Sequence, residues 1–346
     1  MVSKCTIKDV AKHAGVSIST VSHVINNNYP VSDELRLKVE QAIDELDYKP
    51  HAFASSLRKG NTHIIGVIAT RITNPSIMRM VHGIAEVVEP KGYNLFISST
   101  DNDIDKEKKL LNRFSERMVD LIVVFTSTND GKIFTDLINR GMPVIMVNRY
   151  ISGLNIDMVT ADQYKSSYDI VRYMIDRGHR RIMTTNPMSN LQLSIDRYNG
   201  YLDALKSACI KPDPDLILNC DFSKTQAYSE MKQYLEATRR EDLPTGIFVG
   251  SGYMAEGVIQ AICEAGLKIP DDISLTAYGD VWGHRLFYPR ITFVAEQCYK
   301  IGQETGKLAL RRLVEKQKKK DWQPIGFKKI IIPTYIFEGD SVKDIN

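Results

Sequence analysis

The residues best placed to do chemistry sit in one short stretch, residues 7–26. Ile18, Ser19, Thr20, Ser22 and His23 are interspersed with Val21, Val24 and Ile25, which repeat at i, i+3 and i+4. On a helix that spacing turns the valines and Ile25 inward and leaves the other five facing out. Small hydroxyls, an aliphatic tip and an imidazole on an exposed helix suit the base edges of a DNA major groove, where each base pair shows a distinct hydrogen-bond pattern. The chemistry implied is recognition rather than bond making.

A reading helix needs a second helix to hold it. Ile7, Val10 and Ala11 give the preceding segment one apolar face, and Ala11 is small enough for a close crossing. Gly15 falls at the turn, where a residue tolerant of positive φ is required, and Ser17 is placed to cap the second helix. The same spacing also serves two ordinary helices of a small bundle. The helical sequence that follows favours the DNA reading. After a loop at 27–30, Ser32 is placed to cap a third helix, with Asp33 and Glu34 in its first turn. Leu35, Val39, Ala42, Ile43 and Leu46 form its buried stripe, and Pro50 ends it. Residues 51–60 are weakly helical and too short to hold a helix alone.

From His63 the pattern changes to apolar runs alternating with amphipathic helices, the first helix over 74–91. Strands are predicted at 63–70, 94–100, 120–126, 143–148, 181–185, 215–220, 246–250 and 273–277. That alternation predicts parallel sheets wrapped on both faces, in two tandem α/β units. Val159 and Thr160 read as a crossing point, with the boundary near 161. A strand at 291–295, a helix at 299–317 and a strand at 328–337 must be shared between the units. The expected domains are a headpiece at 1–50, a hinge at 51–60 and a core at 61–346. In the core, 61–161 with 291–320 make one subdomain, and 162–290 with 321–340 make the other. Open α/β sheets bind ligands beyond the carboxyl ends of their strands. The cleft candidates are therefore 71–76, 100–102, 148–150, Asn186, 221–222, 251–253 and 279–282. Asn74, ahead of Pro75, is at least as much a helix cap as a ligand contact.

Composition bounds the rest. The chain has 346 residues, 43% hydrophobic and 25% charged, the profile of a globular protein of two or three domains. A net charge of +3 is too small to imply nucleic acid, and residues 1–60 carry eight Lys/Arg against seven Asp/Glu. Any electrostatic support is local, from Lys4, Lys8 and Lys12 against Asp9. Five cysteines form no CxxC pair and no metal spacing, and their odd number suits a reducing cytoplasm. No signal-peptide core or membrane-length run is present in the sequence. Gly302–Lys307 is one residue short of a P-loop and falls inside a predicted helix. No Ser/His/Asp order or dinucleotide fingerprint points to catalysis. A cytoplasmic protein with no cofactor, no metal and no membrane partner is expected, and not an enzyme.

Several motifs together resemble the LacI/GalR family of bacterial transcription regulators. They are residues 6–17 and 20–26, the hinge-like 48–57, Ile65-Gly-Val-Ile68 with Thr73-Asn-Pro75, residues 177–182, residues 197–201 and residues 269–275. The resemblance covers nearly the whole chain. It implies a helix-turn-helix headpiece, a hinge helix and a core similar to periplasmic sugar-binding proteins. It further implies a homodimer on a pseudo-palindromic double-stranded operator, a small effector in the cleft and room for a co-regulator protein. Carried over by position, Ile18, Ser19 and His23 match base-reading residues, and Thr20, Ser22 and Asn26 match phosphate contacts. Leu57 matches a leucine that wedges into the minor groove. Thr6, Ser17, Tyr48, His51, Ala54 and Arg58 complete the expected DNA set. Arg197 matches a cleft arginine and Phe222 a stacking position. The effector set expected is then Asn74, Ser76, Asn148, Arg149, Asp162, Arg197, Phe222, Tyr253, Asp280 and Trp282.

The chain departs from the family at several of these places. His23 stands where the family usually has arginine, His51 replaces a hinge asparagine or serine, and Ser251-Gly-Tyr253 replaces an Asn-Asp pair. Gly279 stands where an effector aspartate is common, with Asp280 one residue late. A sugar or sugar derivative is the expected effector. A sugar-binding protein without a DNA role is the alternative, and repression versus activation is left open.

Overall fold

The structure, a computed structural model, describes residues 5–26, 29–48, 61–116, 118–186, 190–220, 222–281, 283, 288–318, 322–324 and 326–346. The chain divides into two compact units, residues 1–62 and 63–346.

The first unit is built from α1 (Ile7–Ala14), α2 (Ile18–Asn26) and α3 (Asp33–Glu45) around Val10, Ala11, Val21, Val24, Val39 and Ala42. Each helix end has a local cause. The Thr6 backbone N–H and hydroxyl donate to the Asp9 carboxylate at 2.8 and 2.6 Å, which holds the start of α1. Gly15, at φ 65°, closes α1 in the left-handed region. The Ser17 hydroxyl accepts from the Thr20 N–H at 3.1 Å, capping α2. Ser32 departs from expectation. It occupies the N-cap of α3 with extended backbone but makes no side-chain cap bond, so Asp33 and Glu34 carry that terminus through the helix dipole. His13 Nε2 and Glu45 Oε2, 2.6 Å apart, tie the end of α1 to that of α3. The expected hinge, with His51, Ala54, Leu57 and Arg58, lies outside the described residues.

The second unit contains β1 (Ile64–Ala69), α4 (Pro75–Val88), β2 (Asn94–Ser99), α5 (Ile104–Ser115), β3 (Leu121–Val124), α6 (Lys132–Asn139), β4 (Val144–Val147) and β5 (Asp157–Ala161). There follow α7 (Gln163–Ile175), β6 (Ile182–Asn186), α8 (Gln192–Ser207), β7 (Ile217–Asn219), α9 (Lys224–Ala237), β8 (Gly246–Val249), α10 (Gly252–Glu264) and β9 (Ser274–Tyr278). Last come β10 (Thr292–Ala295), α11 (Cys298–Gln317), β11 (Lys329–Ile332) and β12 (Tyr335–Phe337). They form two six-stranded sheets of matching order, β11-β5-β4-β3-β1-β2 and β12-β10-β9-β8-β6-β7. The described ladders are parallel, apart from β12, which runs antiparallel to β10. Central strands such as β3 and β8 are buried along their whole length, because helices cover both faces.

The shared carboxyl-terminal elements distribute differently from the sequence-based expectation. The strand at 292–295 belongs to the second sheet, not with the first subdomain, because it pairs with β9. The single strand expected at 328–337 is two, one in each sheet, broken at Pro333-Thr334. Val159 and Thr160 are not a crossing point but interior residues of β5, and the crossing follows Ala161. The chain therefore passes between the two halves three times, near 162, 296 and 333.

These passages are bonded to one another. Gln163 Nε2 reaches Glu296 Oε1 at 3.4 Å, the Gln297 amide donates to the Pro333 carbonyl at 2.8 Å, and the Ser166 and Thr334 hydroxyls are 2.7 Å apart. Helix α11 packs on α4 in the first half, and a Cβ on Gly302 would meet the Met80 carbonyl. Gly302 therefore serves close helix packing, not a phosphate loop.

Candidate functional site

In the first unit α2 presents the predicted reading residues. Ile18 is 43% exposed, Ser17 and Ser19 are exposed, and Thr20, Ser22 and His23 are half-buried. Ser17 is already engaged in capping, its oxygen 2.7 Å from Ser19 Oγ and 2.9 Å from Thr20 Oγ1. The His23 ring lies against Tyr29, centroids 5.2 Å apart, a neighbour the sequence did not suggest. Tyr48 packs against the headpiece core. Asn26 closes α2, and its side chain is outside the described residues.

In the second unit the carboxyl ends of the strands enclose a cavity of about 50 Å³ between the two halves. Asn74, Ser76, Asn148 and Arg149 line it from the first half, and Arg197, Phe222 and Tyr253 from the second. Arg197 is the centre of the arrangement. It is 4% exposed, its Nε donates to Gln163 Oε1 at 2.9 Å, its Nη1 donates to the Gly250 carbonyl, and its Nη2 is 3.8 Å from Glu296 Oε1. The guanidinium also lies over the Tyr278 ring, 3.7 Å from the centroid. Gln163 continues the chain by donating to Asn148 Oδ1 at 2.9 Å, and so links the two halves. On the opposite wall Arg149 donates to Asn102 Oδ1 at 2.8 Å and stacks over Phe222 at 4.7 Å. The site thus offers fixed polar groups between aromatic faces, as small polar ligands require.

Two of the expected effector residues, Asp162 and Asp280, are not in the cavity wall. Asp162 is exposed and caps α7, accepting from the Lys165 N–H at 2.9 Å, so its carboxylate is used by the helix terminus. Asp280 is held outside by Arg79 of α4, at 2.9 Å. Trp282 is outside the described residues. Conversely, the sequence reading missed Gln163, Glu296 and Tyr278. Glu296 follows β10 as the other candidates follow their strands, so the same rule extended to that strand would have found it.

Behind Arg149 lies Glu107, fully buried on α5. Its carboxylate accepts from the Thr126 hydroxyl at 2.7 Å and the Ser127 N–H at 2.6 Å. Burial pushes its pKa above the ordinary carboxylate value, against the opposing pull of those hydrogen bonds and of Arg149. Burial likewise pushes the Tyr278 hydroxyl well above its ordinary range, so it stays protonated.

Comparison with known proteins decides the family. Residues 6–51 match the bacterial regulatory proteins of the lacI family, and residues 171–341 match the periplasmic binding protein-like domain. The HTH-type transcriptional repressor PurR of Histophilus somni is 33% identical over 314 residues, covering 90% of this chain and 93% of the relative. The chain belongs to the lacI family of bacterial regulatory proteins. Among solved structures, this lacI-family chain is similar to the lac repressor dimer bound to operator and the anti-inducer ONPF. That likeness has a TM-score of 0.79 and 23% identity, over 98% of this chain and 99% of the other. The transcriptional regulator CelR–cellobiose complex is similar with a TM-score of 0.71 and 22% identity, over 97% and 99%. At that identity both show the fold. Family membership makes this chain a DNA-binding transcription regulator and not an enzyme.

Proposed function

We propose that this lacI-family regulator is a repressor that binds a pseudo-palindromic operator as a homodimer, under control of a small polar metabolite held in the core cleft. Ile18, Ser19 and His23 read bases from α2. The relatives named PurR are repressors, which supports that sign of regulation. The carrying observation for the cleft is Arg197, buried and fixed by Gln163, Gly250 and Glu296 with Tyr278 under its face. A sugar or sugar derivative suits this wall, since its hydroxyls can meet Arg197, Asn148 and Glu296 while a ring face lies on Phe222. A flat purine base is the second reading, favoured by the planar stack of Arg149 on Phe222. Fluorescence anisotropy of an operator selected from random DNA, titrated with pentoses, hexoses, cellobiose and purine bases, separates the two. One class should change operator affinity in the wild type and not in Arg197→Lys. If no member of either class does so, the cleft reading is wrong.

A further inference from the structure

His23 stands in the last turn of α2, on the face turned away from Val21 and Val24, whose side chains are buried in the headpiece core. It is half-buried there. The ring of Tyr29 lies against it, with centroids 5.2 Å apart and planes inclined at 38°. The two residues are six positions apart, a separation at which side chains of one helix do not meet. The contact forms because the chain beyond α2 turns back beside it. Tyr29 itself is 65% exposed, and the headpiece core is built without it.

An imidazole needs such a neighbour more than the other reading side chains do. Ser19 carries one small rotor and Ile18 reads by shape. The two ring nitrogens of a neutral imidazole differ, one donating and the other accepting, so the edge turned to a base decides what is read. The torsion that turns the ring is broad and lacks sharp staggered wells. A ring face packed against Tyr29 restricts that torsion and leaves one ring edge for the groove. Pro30 follows Tyr29 and biases its backbone toward the extended region, so the neighbour is itself constrained.

We propose that Tyr29 is a positioning residue for operator recognition. By lying against the His23 ring it fixes which imidazole edge meets a base pair, and so sets the discrimination at that position. The inference rests on the reading of bases by His23 proposed in the preceding section. A ring already held when DNA arrives loses less conformational freedom on binding, so the contact acts by preorganisation. Tyr29 needs no bond to a base for this, and its effect is confined to the base pair that His23 reads.

The test uses full-length protein carrying His23→Ala, Tyr29→Ala, Tyr29→Phe or the His23→Ala/Tyr29→Ala pair. Each selects sites from random DNA, and anisotropy then titrates the wild-type site and its single-base-pair variants. His23→Ala should relax one base pair in each half-site. Tyr29→Ala should relax that same base pair, its discrimination falling by about two- to tenfold, the range an aromatic pair supports, with other positions unchanged. Tyr29→Phe keeps the ring and should discriminate as the wild type does. In the double variant the loss of Tyr29 should add nothing at that base pair. Full discrimination in Tyr29→Ala overturns the proposal while leaving His23 a reader. Equal loss of affinity for every sequence, shared by Tyr29→Phe, would make the tyrosine hydroxyl a phosphate contact and overturn it as well. Additive effects in the double variant do the same. A Tyr29→Phe protein that lost the discrimination would overturn it whether or not Tyr29→Ala folds. If His23→Ala relaxes no base pair, the reading of His23 falls and this inference falls with it.

Discussion

Replacing Arg197 by alanine should damage the core as much as the cleft. The Arg197 and Glu296 side chains are each 5% exposed, and their charged atoms are 3.8 Å apart. At an effective dielectric near 20, such a pair attracts by about 4 kcal/mol. The alanine variant keeps a buried carboxylate with no cation, and breaking a buried pair by removing one partner costs about 3–5 kcal/mol. Lost hydrogen bonds to Gln163 and Gly250 belong to the same deficit. Urea unfolding of full-length protein, with Arg197→Ala, Glu296→Gln and the double variant, gives the coupling directly. A loss of about 3–5 kcal/mol for Arg197→Ala is expected, and the double variant should be less damaged than the sum of the singles by about 2 kcal/mol or more. Arg197→Lys keeps a cation opposite Glu296 and should lose less than half as much, while still losing the fork that a ligand would meet. A loss below about 1 kcal/mol for Arg197→Ala, or singles that simply add, would refute the reasoning.

Exchanging His23 for arginine should move the preferred base toward guanine by about 1–3 kcal/mol, read by selection from random half-sites, since arginine can bond both O6 and N7. Glu107→Gln should change the pH dependence of core stability. A carboxyl whose pKa is raised on folding contributes fully below its ordinary value of 4.5 and loses that contribution as pH rises through the folded value. The stability of the wild type relative to Glu107→Gln should therefore fall as pH rises from 4.5 toward neutrality, and parallel curves would refute it. Thr6→Ala should cost the headpiece about 1 kcal/mol in thermal unfolding by removing its hydroxyl bond to Asp9. Arg312→Ala should cost about 3–5 kcal/mol, because the Arg312 guanidinium holds the buried Asp157 carboxylate at 2.6 and 2.8 Å.

Where periodicity and local chemistry agree, the sequence is legible. Val10, Ala11, Val21 and Val24 are buried as their spacing requires, and Gly15 and Ser17 end and start helices as their types require. The strand-end rule selected Asn74, Ser76, Asn148, Arg149, Phe222 and Tyr253, and the family resemblance selected Arg197; all of these line the cavity. What failed was pairing at long range. Nothing near Asp280 in sequence announces that Arg79, two hundred residues earlier, will hold its carboxylate. Nothing near 291–295 tells which sheet that strand will join. Asp162 caps α7 and does not line the cavity, a distinction the sequence hides because a helix cap and a ligand contact call for the same side chain.

The three bonded passages between the halves have a mechanical consequence. Straps gathered along one seam leave two rigid bodies a single easy rotation and oppose sliding or twisting. Gln163 and Glu296 belong to that seam and also hold Arg197. A ligand touching Arg197 therefore pushes close to the fulcrum, on the short arm of a lever. A shift of a few tenths of an ångström there becomes a far larger displacement at the outer rims of both halves. The bonds of Gln297 to Pro333 and of Ser166 to Thr334 hold that pivot in place.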